Sequence, residues 1–355
     1  MVFAPVARPE DRRSALAPLS DIAEFQRQST VRKAVQRALH AYVMHQVEPE
    51  MRPVYETHFA EASRNVEIAV DHMGQMFLRR PGHALCVVEA VADFIRRYYP
   101  AMKHGVERER WLIYTEHDHR VPFVAESDIL YVYMAAQLGY VAHALATRLP
   151  LRAMHKMSRG FMEMNTLAIE AFEAHPTTMP RWDGRHRISL RILHAIDEPT
   201  NCAPSLHIAY ALYLDNVTRH VLGGEPRYHS VCAAVRCATR GMFNSVLYTK
   251  QHAVLDVAFG MLVGRRVFLR RFGGSYDDLR DEFPALMREH AIPFDAISEM
   301  YAELLEREEG GRRPIAEVLG EYLRDHGYPR LPAGTPVGHQ YFHTRTRETV
   351  PFQVN

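Results

Sequence analysis

Asn201-Cys-Ala-Pro-Ser-Leu-His207 and Ser245-Val-Leu-Tyr-Thr-Lys-Gln-His-Ala-Val-Leu-Asp256 are the two stretches whose reading decides the fold. Pro204 and Ser205 predict a helix start, because proline suits the first turn and a hydroxyl can satisfy an open backbone N–H there. His207 then falls in that first turn, where the N–H groups favour a bound anion. In the second stretch Ser245, Thr249, His252 and Asp256 are spaced 4, 3 and 4, which on a continuous helix puts all four on one face. Asp256, one turn after His252, is placed to hold the imidazole in one tautomer and leave its other nitrogen for chemistry. Taken alone, such a pair also reads as an ordinary helix-surface contact.

Together these residues resemble the type 2 phosphatidic acid phosphatase superfamily, which includes lipid phosphatases, phosphotransferases, bacterial acid phosphatases and vanadium haloperoxidases. The superfamily pattern is K-x6-R-P, then P-S-x-H, then S-R-x5-H-x3-D. Pro204-Ser205-Leu206-His207 matches the second block. Ser245, His252 and Asp256 match the third, with Val246 where arginine is usual. His175-Pro-Thr-Thr-Met-Pro-Arg181-Trp182 resembles a remnant of the first, with Arg181 in the arginine position, Ala174 where lysine is usual and Trp182 where proline is usual. Asn201 and Thr249 are similar to the phosphotransferase-type branch, and the resemblance covers roughly residues 110 to 270.

The resemblance implies an all-α protein with a helical bundle core and a phosphohistidine mechanism. His252 would be the nucleophile, Asp256 its orienting partner, and His207 the acid that protonates the leaving oxygen. Arg181, Ser205, Ser245, Asn201 and the N–H groups at the start of the His207 helix would bind the phosphoryl oxygens. Lys250, one helical turn after Val246, is expected to fill part of the space of the missing arginine. Arg185, Arg236 and Arg240 stand in reserve. No metal cofactor is required on this reading, and vanadate is the cofactor of the haloperoxidase relatives.

Composition narrows the partners. With 43 Lys+Arg against 42 Asp+Glu and a pI near 7.9, the chain has no basic excess that would point to nucleic acid. Cys86, Cys202, Cys232 and Cys237 show neither metal spacing nor a disulfide framework, so a cytoplasmic setting is expected. The N-terminus lacks the marks of a secretory signal. The longest uncharged run, Ile129 to Thr147, is diluted by Gln137, Gly139 and His143, so a soluble chain is expected. Arg265, Arg266, Arg270 and Arg271 suggest a peripheral membrane contact.

Read in order, the chain predicts an extended arm over 1–20, a helical extension over 21–109, a phosphatase-like core over 110–272, C-terminal helices over 273–328 and an extended tail over 329–355. Helices are expected over 21–47, 54–78, 84–99, 127–145, 152–173, 187–195, 204–222, 228–247, 250–271, 276–290, 294–308 and 313–326, with no strand run. Glu116-His-Asp-His119 reads either as metal ligands or as an exposed polar loop. Asp277-Asp-Leu-Arg-Asp281-Glu282 has the D-D-x-x-D form that terpene synthases use to hold magnesium and a prenyl diphosphate, through Asp277, Asp278 and Asp281. The lone motif is weak evidence, and the favoured reading is an acid-rich helix start capped by Ser275.

The leading expectation is an enzyme that hydrolyses or transfers the phosphoryl group of a lipid or isoprenoid phosphate or diphosphate ester. An isoprenoid diphosphate cyclase or lyase, a vanadate-dependent haloperoxidase-like oxidase and an inactive scaffold are the alternatives.

Overall fold

The computed structural model describes residues 73–103, 107–124, 127–128, 138–139, 141–180 and 200–335. The expected arm, the helices over 21–47 and most of 54–78, most of the helix after Ser127, Arg181 with Trp182, Arg185, the helix over 187–195 and the tail beyond 335 lie outside these residues. Within them the chain is predominantly helical. The longer helices are α1 (Pro81–Asp93), α2 (Leu151–Ala174), α3 (Leu206–Leu222), α4 (His229–Tyr248), α5 (Val254–Arg271), α6 (Phe294–Glu308) and α7 (Ile315–Asp325). Shorter ones span Glu116–Arg120 and Phe283–Glu289, and α1 continues as a π-helical turn over Phe94–Tyr98.

The helix α5 is the core element. Every residue from Val254 to Gly264 is buried, and only Asp256 among them carries charge. Each fully buried Val, Leu, Met or Phe there contributes about 1.5–3 kcal/mol. The helices α2, α3 and α6 pack around α5, α4 lies on α3, and α1 and α7 lie on α2. Two glycines one turn apart set the closest crossing. A Cβ at Gly260 would sit 2.5 Å from the Ser205 carbonyl oxygen, and one at Gly264 would sit 2.9 Å from that of Ala209. Glycine at both positions therefore lets α5 approach the backbone of α3 where Ser205 and His207 begin that helix.

Three short strands depart from the all-helix expectation. They are β1 (Arg110–Leu112), β2 (Thr177–Thr178) and β3 (Arg330–Leu331), in the order β2-β1-β3. Trp111 pairs in parallel with Thr177 and antiparallel with Arg330. Strands this short leave no alternation in a sequence, and only tertiary pairing creates them. The sheet also anchors the first site stretch. Thr178 bridges Thr200, the Asn201 N–H donates to the Thr177 carbonyl at 2.6 Å, and the Ala203 N–H donates to Thr177 Oγ1 at 2.9 Å.

The helix expected over 276–290 is also corrected. Residues 275–279 are not helical, Leu279 is left-handed (φ 69°), and only a 3-10 turn over Arg280–Glu282 precedes the helix Phe283–Glu289. Asp277 and Asp278 account for this, because their carboxylates accept the N–H groups of Leu279 (2.9 Å) and Arg280 (3.2 Å). Such two-residue side-chain bonds compete with helix formation. Among the described residues no helix is long and apolar enough to cross a membrane.

Candidate active site

Ser205 is the N-cap position of α3, and His207 lies in its first turn. Ser205 is fully buried. Its N–H donates to the Asp256 carbonyl at 3.1 Å, which ties the start of α3 to α5. Its hydroxyl does not cap the helix and has no hydrogen-bond partner among the described residues. Asn201 is left-handed (φ 58°), a conformation asparagine tolerates better than most residues, and its Nδ2 donates to the Ala101 carbonyl at 3.1 Å.

The second stretch is not one helix. The helix α4 ends at Tyr248, a turn covers 249–253, and α5 begins at Val254. The left-handed Lys250 (φ 53°) turns the chain, and the Val246 carbonyl accepts the N–H groups of both Gln251 and His252 at 3.1 Å. The shared face of Ser245, Thr249, His252 and Asp256 therefore does not form. Ser245 Oγ donates to the Ser127 carbonyl and Thr249 Oγ1 to the Ser245 carbonyl, both at 2.6 Å.

Lys250 does not fill the space beside Val246 either. Its ammonium donates to the carbonyls of Asp118 (2.6 Å) and Val121 (2.5 Å), and Val246 itself is sealed in apolar packing. Burial pulls the Lys250 amine down to about 8, against the opposing pull of Asp118.

His252 and Asp256 meet all the same, by a different route from the one expected. Asp256 occupies the third position of α5, and its Oδ2 reaches back to accept the Ala253 N–H at 2.9 Å. The same oxygen lies 3.3 Å from His252 Nδ1. A capping carboxylate thus orients the imidazole just ahead of the helix. Burial raises the Asp256 carboxyl, while His252 and the Ala253 N–H oppose the rise.

On the opposite edge of that ring, His252 Nε2 lies 3.2 Å from Nδ1 of His207. A proton on His252 Nδ1 facing Asp256 makes Nε2 the acceptor, and His207 Nδ1 is then the donor. Burial, and secondarily His252, hold His207 well below the ordinary imidazole range, so the resting pair carries no proton on His207 Nε2 near neutral pH.

The sequence reading missed Asp118. Glu116-His-Asp-His119 is not an exposed loop; it is a helical turn over Glu116–Arg120 whose Asp118 is buried. Asp118 Oδ1 accepts the Val254 N–H at 2.7 Å, and Oδ2 accepts the Thr115 N–H (2.7 Å) and hydroxyl (2.9 Å). Burial pushes its carboxyl up to about 6 against these bonds. The signal was present as Thr115-x-x-Asp118, a capping-box spacing. Its long-range partner at Val254 had no local signal.

The acidic motif faces arginines. Asp277 Oδ2 accepts from Arg236 at 2.7 Å and from Arg219 at 3.0 Å, and Asp278 Oδ2 accepts from Arg280 at 3.0 Å. Burial raises the Asp277 carboxyl, but the two guanidinium groups outweigh it and hold it below its ordinary value. Asp281 is exposed. Arg236 also binds Asp215 (2.6 Å) and Glu282 (2.9 Å), and Arg240 binds Glu282, so neither guanidinium serves the histidine site. Among the described residues no group of three or more His, Cys, Asp or Glu converges as metal ligands.

Compared with known proteins, the chain matches no family model, no curated protein and no solved structure.

Proposed function

We propose that His207, His252 and Asp256 form the active site of an enzyme that hydrolyses or transfers the phosphoryl group of a phosphate or diphosphate ester, with a lipid or isoprenoid ester as the substrate class. The observation that carries this reading is the aligned pair of contacts on one imidazole: Asp256 on Nδ1 at 3.3 Å and His207 on Nε2 at 3.2 Å. The resemblance to the phosphatidic acid phosphatases supports the same assignment of roles.

Asp256 keeps the proton on His252 Nδ1, so Nε2 retains the lone pair that attacks phosphorus. The substrate phosphoryl group displaces His207 from Nε2. Its negative charge favours a second proton on His207, which that imidazole then gives to the leaving oxygen as the N–P bond forms and the P–O bond breaks. Water or an acceptor alcohol attacks the phosphohistidine, giving its proton back to His207, and returns His252. Ser205 and the α3 N-terminus supply donors to the phosphoryl oxygens. The magnesium-dependent cyclase alternative draws less support, because Arg219 and Arg236 already hold Asp277.

The test is release of inorganic phosphate from prenyl phosphates, prenyl diphosphates and diacylglycerol phosphates, with an acid-labile, base-stable phosphoryl-enzyme trapped on rapid quenching. His252→Ala should abolish both signals and leave the helical circular dichroism unchanged. Turnover within a few-fold of the parent chain would remove His252 from the mechanism.

A further inference from the structure

Large apolar side chains left exposed by the described residues are not scattered. All except Met287 gather around α1. Leu85, Val88, Val91 and Ile95 are spaced 3, 3 and 4, so they share one face, opposite the buried His83, Cys86 and Asp93. Leu85 and Ile95 are 64% and 58% exposed. Phe77 and Leu78 extend the face at one end, and Leu151 joins it from α2, its methyl groups lying 3.2 Å from where a Gly82 Cβ would be.

The rim of this face is cationic. Arg79 and Arg80 precede the stripe, Arg96 and Arg97 follow it, and Arg152 stands beside Leu151; all five are exposed. Only two carboxylates occur in 73–98. Asp93 is buried and accepts from Asn165 and from the exposed Arg97, and Glu89 lies 3.6 Å from His155 and 3.9 Å from Arg159. The cluster at 265–271, by contrast, is engaged within the fold. Arg270 and Arg271 bind Glu163, and Arg266 binds the carbonyls of Arg313 and Gly311.

We propose that the α1 face is a docking surface for an anionic lipid bilayer. The stripe would enter the boundary between headgroups and acyl chains, and the arginines would lie against lipid phosphates. Charge complementarity selects this occupant. A second copy packed on the same face would bring two sets of arginines together. Residues 1–72 carry ten acidic and nine basic side chains, with six of the acids over 48–71, and they are the competing occupant that the experiment must exclude. The proposal is independent of the chemistry at His252.

Co-sedimentation of the full chain with phosphatidylcholine vesicles, with and without about one-third phosphatidylglycerol, tests it. Binding is expected to the anionic vesicles only and to weaken with added salt. It should fall by about tenfold in Leu85→Asp/Ile95→Asp and in Arg79→Ser/Arg80→Ser. The arginine variants keep the test decisive if the aspartate pair fails to fold. No binding by the parent chain, or binding undiminished in the folded variants, overturns the proposal. A lipid-free dimer that Leu85→Asp dissolves would assign the face to a second copy instead. Protection of the Leu85 and Ile95 side chains from hydroxyl-radical labelling in the lipid-free monomer would assign it to residues 1–72.

Discussion

The Asp118 carboxylate accepts the Val254 N–H at 2.7 Å, while the Lys250 ammonium donates to the Asp118 carbonyl at 2.6 Å. One short helix thus grips the chain two residues before and two residues after His252. Asp118→Ala would leave the Thr115 and Val254 N–H groups buried without their acceptor, and a loss of about 2–3 kcal/mol in urea unfolding is expected. Asp118→Asn should cost less, because its Oδ1 still accepts from Val254. A change below about 0.5 kcal/mol in the alanine variant would show that the grip contributes little.

Asp256→Asn separates catalysis from capping. With the amide oxygen in the Oδ2 position both the Ala253 N–H and His252 Nδ1 keep an acceptor, but a neutral one that no longer stabilises the imidazole as it gains positive charge on attacking phosphorus. Phosphate release should fall by about 10²–10⁴-fold with little change in melting temperature. Equal losses of stability and activity would mean that Asp256 acts only as a cap.

Stability should depend on pH through His207. Its folded pKa lies below the 6.5 of the unfolded side chain, so the unfolded chain takes up the proton first as pH falls. The contribution is complete above 6.5 and is lost as pH descends through the depressed folded value. Asp118, raised to about 6, acts in the opposite sense, since its charged form is the costly one. Both proteins in a comparison with His207→Gln share Asp118, so their difference isolates His207. Urea midpoints taken between about pH 8 and pH 5 should fall more steeply for the parent chain than for His207→Gln. Parallel curves would contradict the assignment.

Glycine-to-alanine changes inside an exposed helix normally stabilise by about 1 kcal/mol. At Gly260 the opposite sign is expected, because the new methyl carbon meets the Ser205 carbonyl oxygen at 2.5 Å. A loss of about 1–3 kcal/mol should result, with activity falling as α3 carries His207 away from His252. Gly264→Ala, at 2.9 Å from the Ala209 carbonyl, should be milder. Calorimetry on the pair gives the order, and the reverse order would argue against the crossing described.

Chelation discriminates the phosphohistidine reading from the magnesium reading. Phosphate release should survive EDTA, and Asp278→Asn should be tolerated. Asp277→Asn should lower stability by about 1–3 kcal/mol, because it removes the shared acceptor of Arg219 and Arg236. Loss of activity on chelation, rescued by magnesium, would restore the cyclase alternative.

The helical class, a helix start near Ser205 and the closeness of His252 to Asp256 were legible in the sequence, because helix periodicity and four-residue spacing are local properties, although the expected hydroxyl cap at Ser205 does not form. Local spacing also misled. It placed Ser245 and Thr249 on the face of His252 and Lys250 beside Val246, whereas the left-handed turn at Lys250 breaks that face and the three side chains reach Ser127, Ser245 and the Asp118 segment. That turn is held by Asp118, more than a hundred residues away in the chain, and no local pattern encodes such a partner. The three strands, the guanidinium groups around Asp277 and the 3.2 Å contact between His207 and His252 are likewise tertiary. The histidine contact exists because Gly260 and Gly264 let α5 close on α3, and close approach of two backbones is decided by packing, which a one-dimensional spacing cannot express.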